Sequence, residues 1–197
     1  SDPSFVLRSL SATEAGNRRE HTFQRRGNST LYLEAHEAAS GVQAFLSARQ
    51  CYPELEGSKP NLYKGFMSLL WANVSDHGAG GLLHPEGPYD DPNGGTLRRA
   101  LYARLRRHYQ FRNEFVLFTG TNDHGRLTFS LNIYGPSKSP RFQHMANLFA
   151  PSTVDASIAH DGDGPVPGIK DEDNAWDTRG HRDRIIEVDA RTLELFA

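Results

Sequence analysis

Between Asn61 and Gly135 the apolar pattern switches period repeatedly, and this run constrains the fold more than any other part of the chain. Leu62, Phe66, Leu69, Leu70 and Val74 recur at helical spacing and define one apolar helix face. Gly78, Gly80 and Gly81 end that helix, and Leu82 and Leu83 open a short apolar run that stops at His84-Pro85-Glu86-Gly87. Such a run suits a central parallel strand, buried on both faces. Gly87 to Gly95 has turn chemistry throughout, and Thr96 is placed to cap a helix carrying Leu97, Leu101, Leu105 and Tyr109 on one face. Phe115 to Phe118 reads as a strand and Thr119 to Gly125 as a tight polar turn. Leu127, Phe129, Leu131 and Ile133 then alternate with polar partners, the period-two signature of a strand. Helix, strand, helix, strand and hairpin partner make half of an α/β sheet ending in an antiparallel pair.

The flanks are less regular. Phe5, Val6 and Leu10 begin an amphipathic stretch broken by Gly16. Asn28 or Ser29 can cap a second helix with Leu31, Ala35, Ala38, Val42, Phe45 and Leu46 at helical spacing, stopping near Tyr52 because Pro53 follows. After Pro136, Phe142 to Phe149 is expected as a short helix and Pro151 to Ile158 as a turn. Asp161 to Asp177 is expected as a long loop, and Arg184 to Val188 and Leu193 to Phe196 as short strands. The chain thus reads as three parts: a helical segment over 1–60, an α/β part over 61–136 and an irregular connector over 137–197.

The single cysteine, Cys51, excludes an internal disulfide and fits a reducing compartment. No apolar run approaches the roughly 20 residues that span a bilayer, so a cytoplasmic protein without membrane contact is expected. Net charge is −2, yet six arginines and no acidic residue lie between Thr96 and Arg112. Arg98, Arg99, Arg104, Arg106 and Arg107 surround the apolar face of their expected helix. They are candidates for DNA phosphates or simply a solvated surface.

Several motifs exclude more than they suggest. Gly78-Ala79-Gly80-Gly81 follows a helix and precedes a strand, the reverse of a phosphate-binding glycine loop, and reads as a turn. Asp161-Gly162-Asp163-Gly164 lacks the fuller ligand series of a calcium loop. The nine histidines show no paired ligand spacing and one cysteine cannot build a zinc site, so no metal is expected. His84-Pro85-Glu86-Gly87 carries more weight. Polar residues at the end of a buried parallel strand lie where open α/β sheets bind ligands, so His84 and Glu86 are strand-end candidates.

Asn61-Leu62-Tyr63-Lys64-Gly65-Phe66, the glycine turn, and Leu82-Leu83-His84-Pro85-Glu86-Gly87 together resemble a block of gamma-class, S-adenosylmethionine-dependent DNA adenine-N6 methyltransferases. The closest look is to large methylases of restriction-modification and phage-defence systems. Gly41-Val42-Gln43-Ala44-Phe45 through Glu56-Gly57, Tyr89-Asp90-Asp91-Pro92, Leu117-Phe118 through Tyr134-Gly135, and Asn147-Leu148-Phe149 through Gly168-Ile169-Lys170 extend the resemblance over most of the chain.

The resemblance implies a partial Rossmann-like methyltransferase sheet ending in an antiparallel hairpin, with a helical N-terminal region and a connector toward a target-recognition domain. It implies a flipped adenine whose amino nitrogen attacks the donor methyl directly. It places Phe118 where an aromatic stacks on that base, and Asn61, Tyr63 and Phe66 in the block lining the donor pocket, although core packing suits Phe66 better. The family's glycine loop is absent. The nearest match to its Asn/Asp-Pro-Pro-aromatic tetrad is Asp2-Pro3-Ser4-Phe5, with Ser4 for the second proline. The chain is therefore expected to be the half downstream of the catalytic motif, inactive alone and without its own donor binding. Its expected partners are double-stranded DNA, the remainder of the parent methyltransferase and other defence-system subunits. Two alternatives stand: a non-catalytic DNA-binding or scaffold module using the arginines, and a small α/β enzyme with a pocket around His84, Glu86 and Asn122.

Overall fold

The structure, a computed structural model, describes residues 10–25, 27–118 and 127–195. It divides into two compact units, Ser1–Leu46 and Ser47–Ala197.

The first unit holds helices α1 (Ala12–Phe23) and α2 (Asn28–Leu46). Ser11 opens α1 with a reciprocal capping box: its hydroxyl accepts the Glu14 amide at 3.3 Å, and the Glu14 carboxylate accepts the Ser11 amide at 3.0 Å. With its start secured, α1 runs through Gly16 instead of breaking there; Phe5 and Val6 lie outside the described residues. Gly27, at φ 85°, turns the chain. The Asn28 amide and the Ser29 hydroxyl then cap the carbonyls of Thr22 and Phe23 at 2.9 and 3.0 Å. α2 stops at Leu46, short of the expected Tyr52, and Pro53–Leu55 forms a separate 3₁₀ turn.

The second unit is mixed α/β, built on a five-stranded sheet ordered β1 (Gly80–Pro85), β3 (Thr128–Tyr134), β2 (Leu105–Arg112), β4 (Arg141–Leu148) and β5 (Ile186–Asp189). β2 and β4 run parallel, and every other neighbouring pair is antiparallel. An antiparallel pair is present, but the partner of β3 is β2 and not the expected strand Phe115 to Phe118; the turn expected over Thr119 to Gly125, with Asn122, lies outside the described residues. β1 is not the expected central parallel strand. It pairs antiparallel with β3 at the end of the sheet, its burial alternates, and Leu83 is 50 % exposed.

Two further expectations fail for one reason: a spacing of three or four residues also fits a strand covered on both faces. The helix α5 (Gly95–Arg104) ends where Leu105 turns extended, so Tyr109, Arg106 and Arg107 lie on strand β2, and Phe115 to Phe118 follows as a 3₁₀ turn and bend. Residues 142–149 form a strand, not a helix. Asn147 adopts φ 54° in a register shift, where Tyr109 faces Met145 but Phe111 faces Leu148. The extra residue returns Leu148 to the face of Met145, which produces the helix-like spacing. The segment expected as a connector thus supplies β4 and β5. It also supplies α6 (Ser152–Ala159) in place of the expected turn, and α7 (Ala190–Glu194), capped by Asp189, in place of the strand expected from Leu193. The long loop over 161–177 is present.

Residues opposite one another in register share a face. One face carries Tyr109, Phe111, Phe129, Met145 and Leu148, an apolar cluster covered by Val154 and Ile185. The other carries His84, His108, Gln110, Ser130, Asn132 and His144, matched across β1, β3, β2 and β4. α3 (Leu62–Asn73), α4 (Gly87–Asp90) and α5 cover this polar face through Trp71 against Tyr134, Tyr89 against His108 and Tyr102 against Phe142.

Candidate functional site

Strand β1 ends by delivering His84 and Glu86, both buried, into that polar face. His84 Nδ1 donates to the Pro85 carbonyl at 2.8 Å. A carbonyl only accepts, so Nε2 carries the lone pair and takes the Tyr134 hydroxyl at 2.9 Å and the Asn132 amide at 3.0 Å. Burial lowers the pKa of His84, outweighing the raising effect of its bond to the Pro85 carbonyl. Tyr63 stacks on it with centroids 5.8 Å apart, and the Tyr89 hydroxyl donates to Asn132 at 2.5 Å.

Glu86 accepts from His108 Nε2 at 3.2 Å and from Gln110 at 2.7 Å. Burial alone raises its pKa, but the hydrogen bond and charge of His108, with Ser130 and Gln110, outweigh it and bring the carboxyl down to about 2. Glu86 is therefore a fixed anion and an acceptor, not a general acid near neutrality. The Asn132 amide donates to the Ser130 hydroxyl at 2.8 Å and joins the His84 and Glu86 halves into one network.

Beside this network lies a groove of about 240 Å³ lined by Lys59, Asn61, Tyr63, Lys64, Gly87 and Asp91. Asn61 caps α3 by accepting the Tyr63 amide at 3.4 Å. A side chain at residue 87 would bring its Cβ to 2.9 Å from the Tyr63 hydroxyl, so glycine there lets Tyr63 close over the strand-end turn. Lys64, buried, ties three segments together, donating to Ser58 at 2.5 Å, to the Lys59 carbonyl at 3.0 Å and to Asp91 at 3.2 Å.

The structure thus brings His84, Glu86, Asn61 and Tyr63 together, but not Phe66, which is 55 % exposed and belongs neither to the groove nor to the core. The buried face of α3 is Lys64, Met67, Ser68 and Trp71; of the expected apolar face, Leu62, Phe66 and Leu69 point outward and Leu70 and Val74 are half-buried. Phe118 is 38 % exposed and meets Phe129 edge-on at 5.0 Å. The arginines divide. Arg98 and Arg106 are spent on the backbone carbonyls of Asp91 and Pro136, and Arg104 lies 5.2 Å over the Trp71 ring. Arg99 and Arg107 are exposed, the first beside Arg104 in a groove of about 440 Å³.

Sequence reasoning missed His108, Gln110, Asn132, Tyr134 and His144. The available signal was the polar alternation His108, Gln110 and Ser130, Asn132, which a helical reading of 96–109 hides. Gly80 packs against Leu70, which accounts for its place in the glycine turn. Asp161 accepts the Asp163 amide at 3.1 Å within its loop, and among the described residues no three ligating side chains gather to hold a metal. Asp2-Pro3-Ser4-Phe5 lies outside the described residues. No helix among the described residues is long and apolar enough to cross a membrane. No protein-family model matches the chain, and no curated protein matches it.

Proposed function

We propose that this chain is part of an S-adenosylmethionine-dependent DNA adenine-N6 methyltransferase of a restriction-modification or phage-defence system, contributing to the target-base pocket and to DNA contact. The observation that carries the reading is the strand-end site in its setting. A helix–strand–helix–strand run leads into an antiparallel return strand, β3, and His84-Pro85-Glu86-Gly87 closes on Tyr63 at the start of α3. The outward apolar stripe Leu62, Phe66 and Leu69, beside a terminal strand with Leu83 half exposed, supports a half-sheet that packs against the remainder of a parent enzyme.

In this reading Phe118 stacks on the extruded adenine, worth about 1–3 kcal/mol, and Arg99 and Arg107 meet phosphates. The Rossmann-like character of the parent sheet is part of the proposal. The 240 Å³ groove falls below the roughly 300–1,000 Å³ of small-molecule sites, and its Asp90 and Asp91 carboxylates give no ring of backbone donors. The residues present do not make a whole donor site, and no chemical step is assigned to the donor.

The test is a titration of a duplex carrying 2-aminopurine at the target adenine with the intact chain, at several salt concentrations. Salt-dependent binding with quenching of the 2-aminopurine signal that Phe118→Ala abolishes supports the reading. Binding without any change at the base favours the scaffold alternative, and no duplex binding at low salt refutes both. Calorimetry with S-adenosylmethionine alone is expected to show no binding.

A further inference from the structure

The polar face carries a second chain of contacts, which shares Glu86 with the strand-end site but does not rest on the methyltransferase reading. His144 on β4 and His108 on β2 are cross-strand partners, their rings stacked 4.8 Å apart and their Nδ1 atoms 3.1 Å apart. His108 Nε2 faces the Glu86 carboxylate, which only accepts, at 3.2 Å. A neutral His108 with hydrogen on Nε2 has its lone pair on Nδ1, so the hydrogen between the two rings belongs to His144. Donation therefore runs from His144 Nδ1 to His108 Nδ1, and from His108 Nε2 to Glu86. The lone-pair end is Nε2 of His144, the partly exposed member; His108 and Glu86 are buried.

We infer that Glu86, His108 and His144 form a proton wire whose loading sets how α4 seats on the sheet. A proton arriving at His144 Nε2 lets His144 pass its Nδ1 proton to His108 Nδ1. His144 is again neutral, as the other tautomer, and its Nδ1 now accepts from His108. His108 becomes an imidazolium paired with Glu86. No bond to carbon changes, and the three groups together gain one positive charge. The charge appears beneath Tyr89, whose ring stacks 4.2 Å from His108 within α4. An aromatic face responds to a cation, and α4 begins one residue after Glu86 and supplies Gly87 and Asp90 to the groove.

Around the wire, β1 presents His84, β3 presents Ser130, Asn132 and Tyr134, and β2 adds Gln110. From the helices, α4 presents Tyr89 and α5 presents Tyr102, with Arg98 beyond it; β5 sets Ile186 opposite His144. Glu86 is thus the anion that stabilises the loaded state. Burial, with His108 next, pushes His144 itself down to about 4.

Long-range proton–nitrogen spectra of the histidine rings in the intact chain test this between pH 8 and 4, read together with the Gly87 amide. At pH 8 His108 is expected as the Nε2–H tautomer and His144 as the Nδ1–H tautomer, a readout that needs no variant. The Gly87 amide is expected to shift with the same midpoint as these ring nitrogens. His144→Asn, which keeps a donor toward His108, should remove that shift, while His77→Gln at an exposed histidine should leave it intact. The opposite tautomers at pH 8, or a Gly87 transition that persists in His144→Asn, overturn the wire.

Discussion

Replacing Glu86 by glutamine isolates what a single buried carboxylate contributes. Its pKa falls from an ordinary 4.5 to about 2 in the folded protein, which corresponds to roughly 3 kcal/mol of stability. The folded value lies below the unfolded one, so this stability is fully present above pH 4.5 and is lost as pH falls through about 2. Glu86→Gln keeps an oxygen acceptor for His108 and Gln110 but has no proton to bind. The expected signature is therefore a difference curve. Wild type exceeds Glu86→Gln by about 3 kcal/mol at pH 5, and the gap closes toward zero near pH 2. Urea unfolding followed by the fluorescence of Trp71 and Trp176, both within the second unit, supplies the assay. A gap that is absent at pH 5, or that stays constant from pH 5 to pH 2, refutes the assignment of Glu86 as an ionised anion held by His108.

Other outcomes rest on the same structure. Because His144 is lowered to about 4 from an ordinary 6.5, wild-type stability should decline as pH falls from 6.5 to 4, and His144→Asn should flatten that interval in the same unfolding assay. Val116 holds φ 49°, ψ 51° with its side chain 41 % exposed, so Val116→Gly should raise stability by about 0.5–1 kcal/mol, the left-handed strain relieved less the chain entropy of glycine. Gly180 lies against the backbone of Ala156 and Ser157 so closely that a Cβ overlaps it, so Gly180→Ala should cost about 1–3 kcal/mol. If Arg99 and Arg107 meet phosphates, their double alanine variant should flatten the log–log salt dependence of duplex binding by roughly 1–2.

Elements whose cause is local were legible in the residues alone. The helix after Asn61 follows from its cap and apolar spacing, β3 from strict alternation over Leu127 to Ile133, and the loop over 161–177 from its glycines and prolines. The strand-end pair His84 and Glu86 was also legible, because a polar dipeptide frame after an apolar run signals a chain leaving the sheet. How faces are shared emerged only from packing. Residues 105–112 and 141–148 have spacings that fit a helix or a doubly covered strand equally well; pairing with β3, and the bulge at Asn147, selected the strand. On α3 the buried face is the mixed one, because Lys64 finds Ser58 and Asp91 only once distant segments meet, and periodicity had favoured Leu62, Phe66 and Leu69. His108 and His144 are 36 residues apart in the chain and their Nδ1 atoms 3.1 Å apart in space. Local sequence sets the period of an element, but the partner that satisfies a buried polar atom comes from elsewhere in the fold, and that choice belongs to the packing.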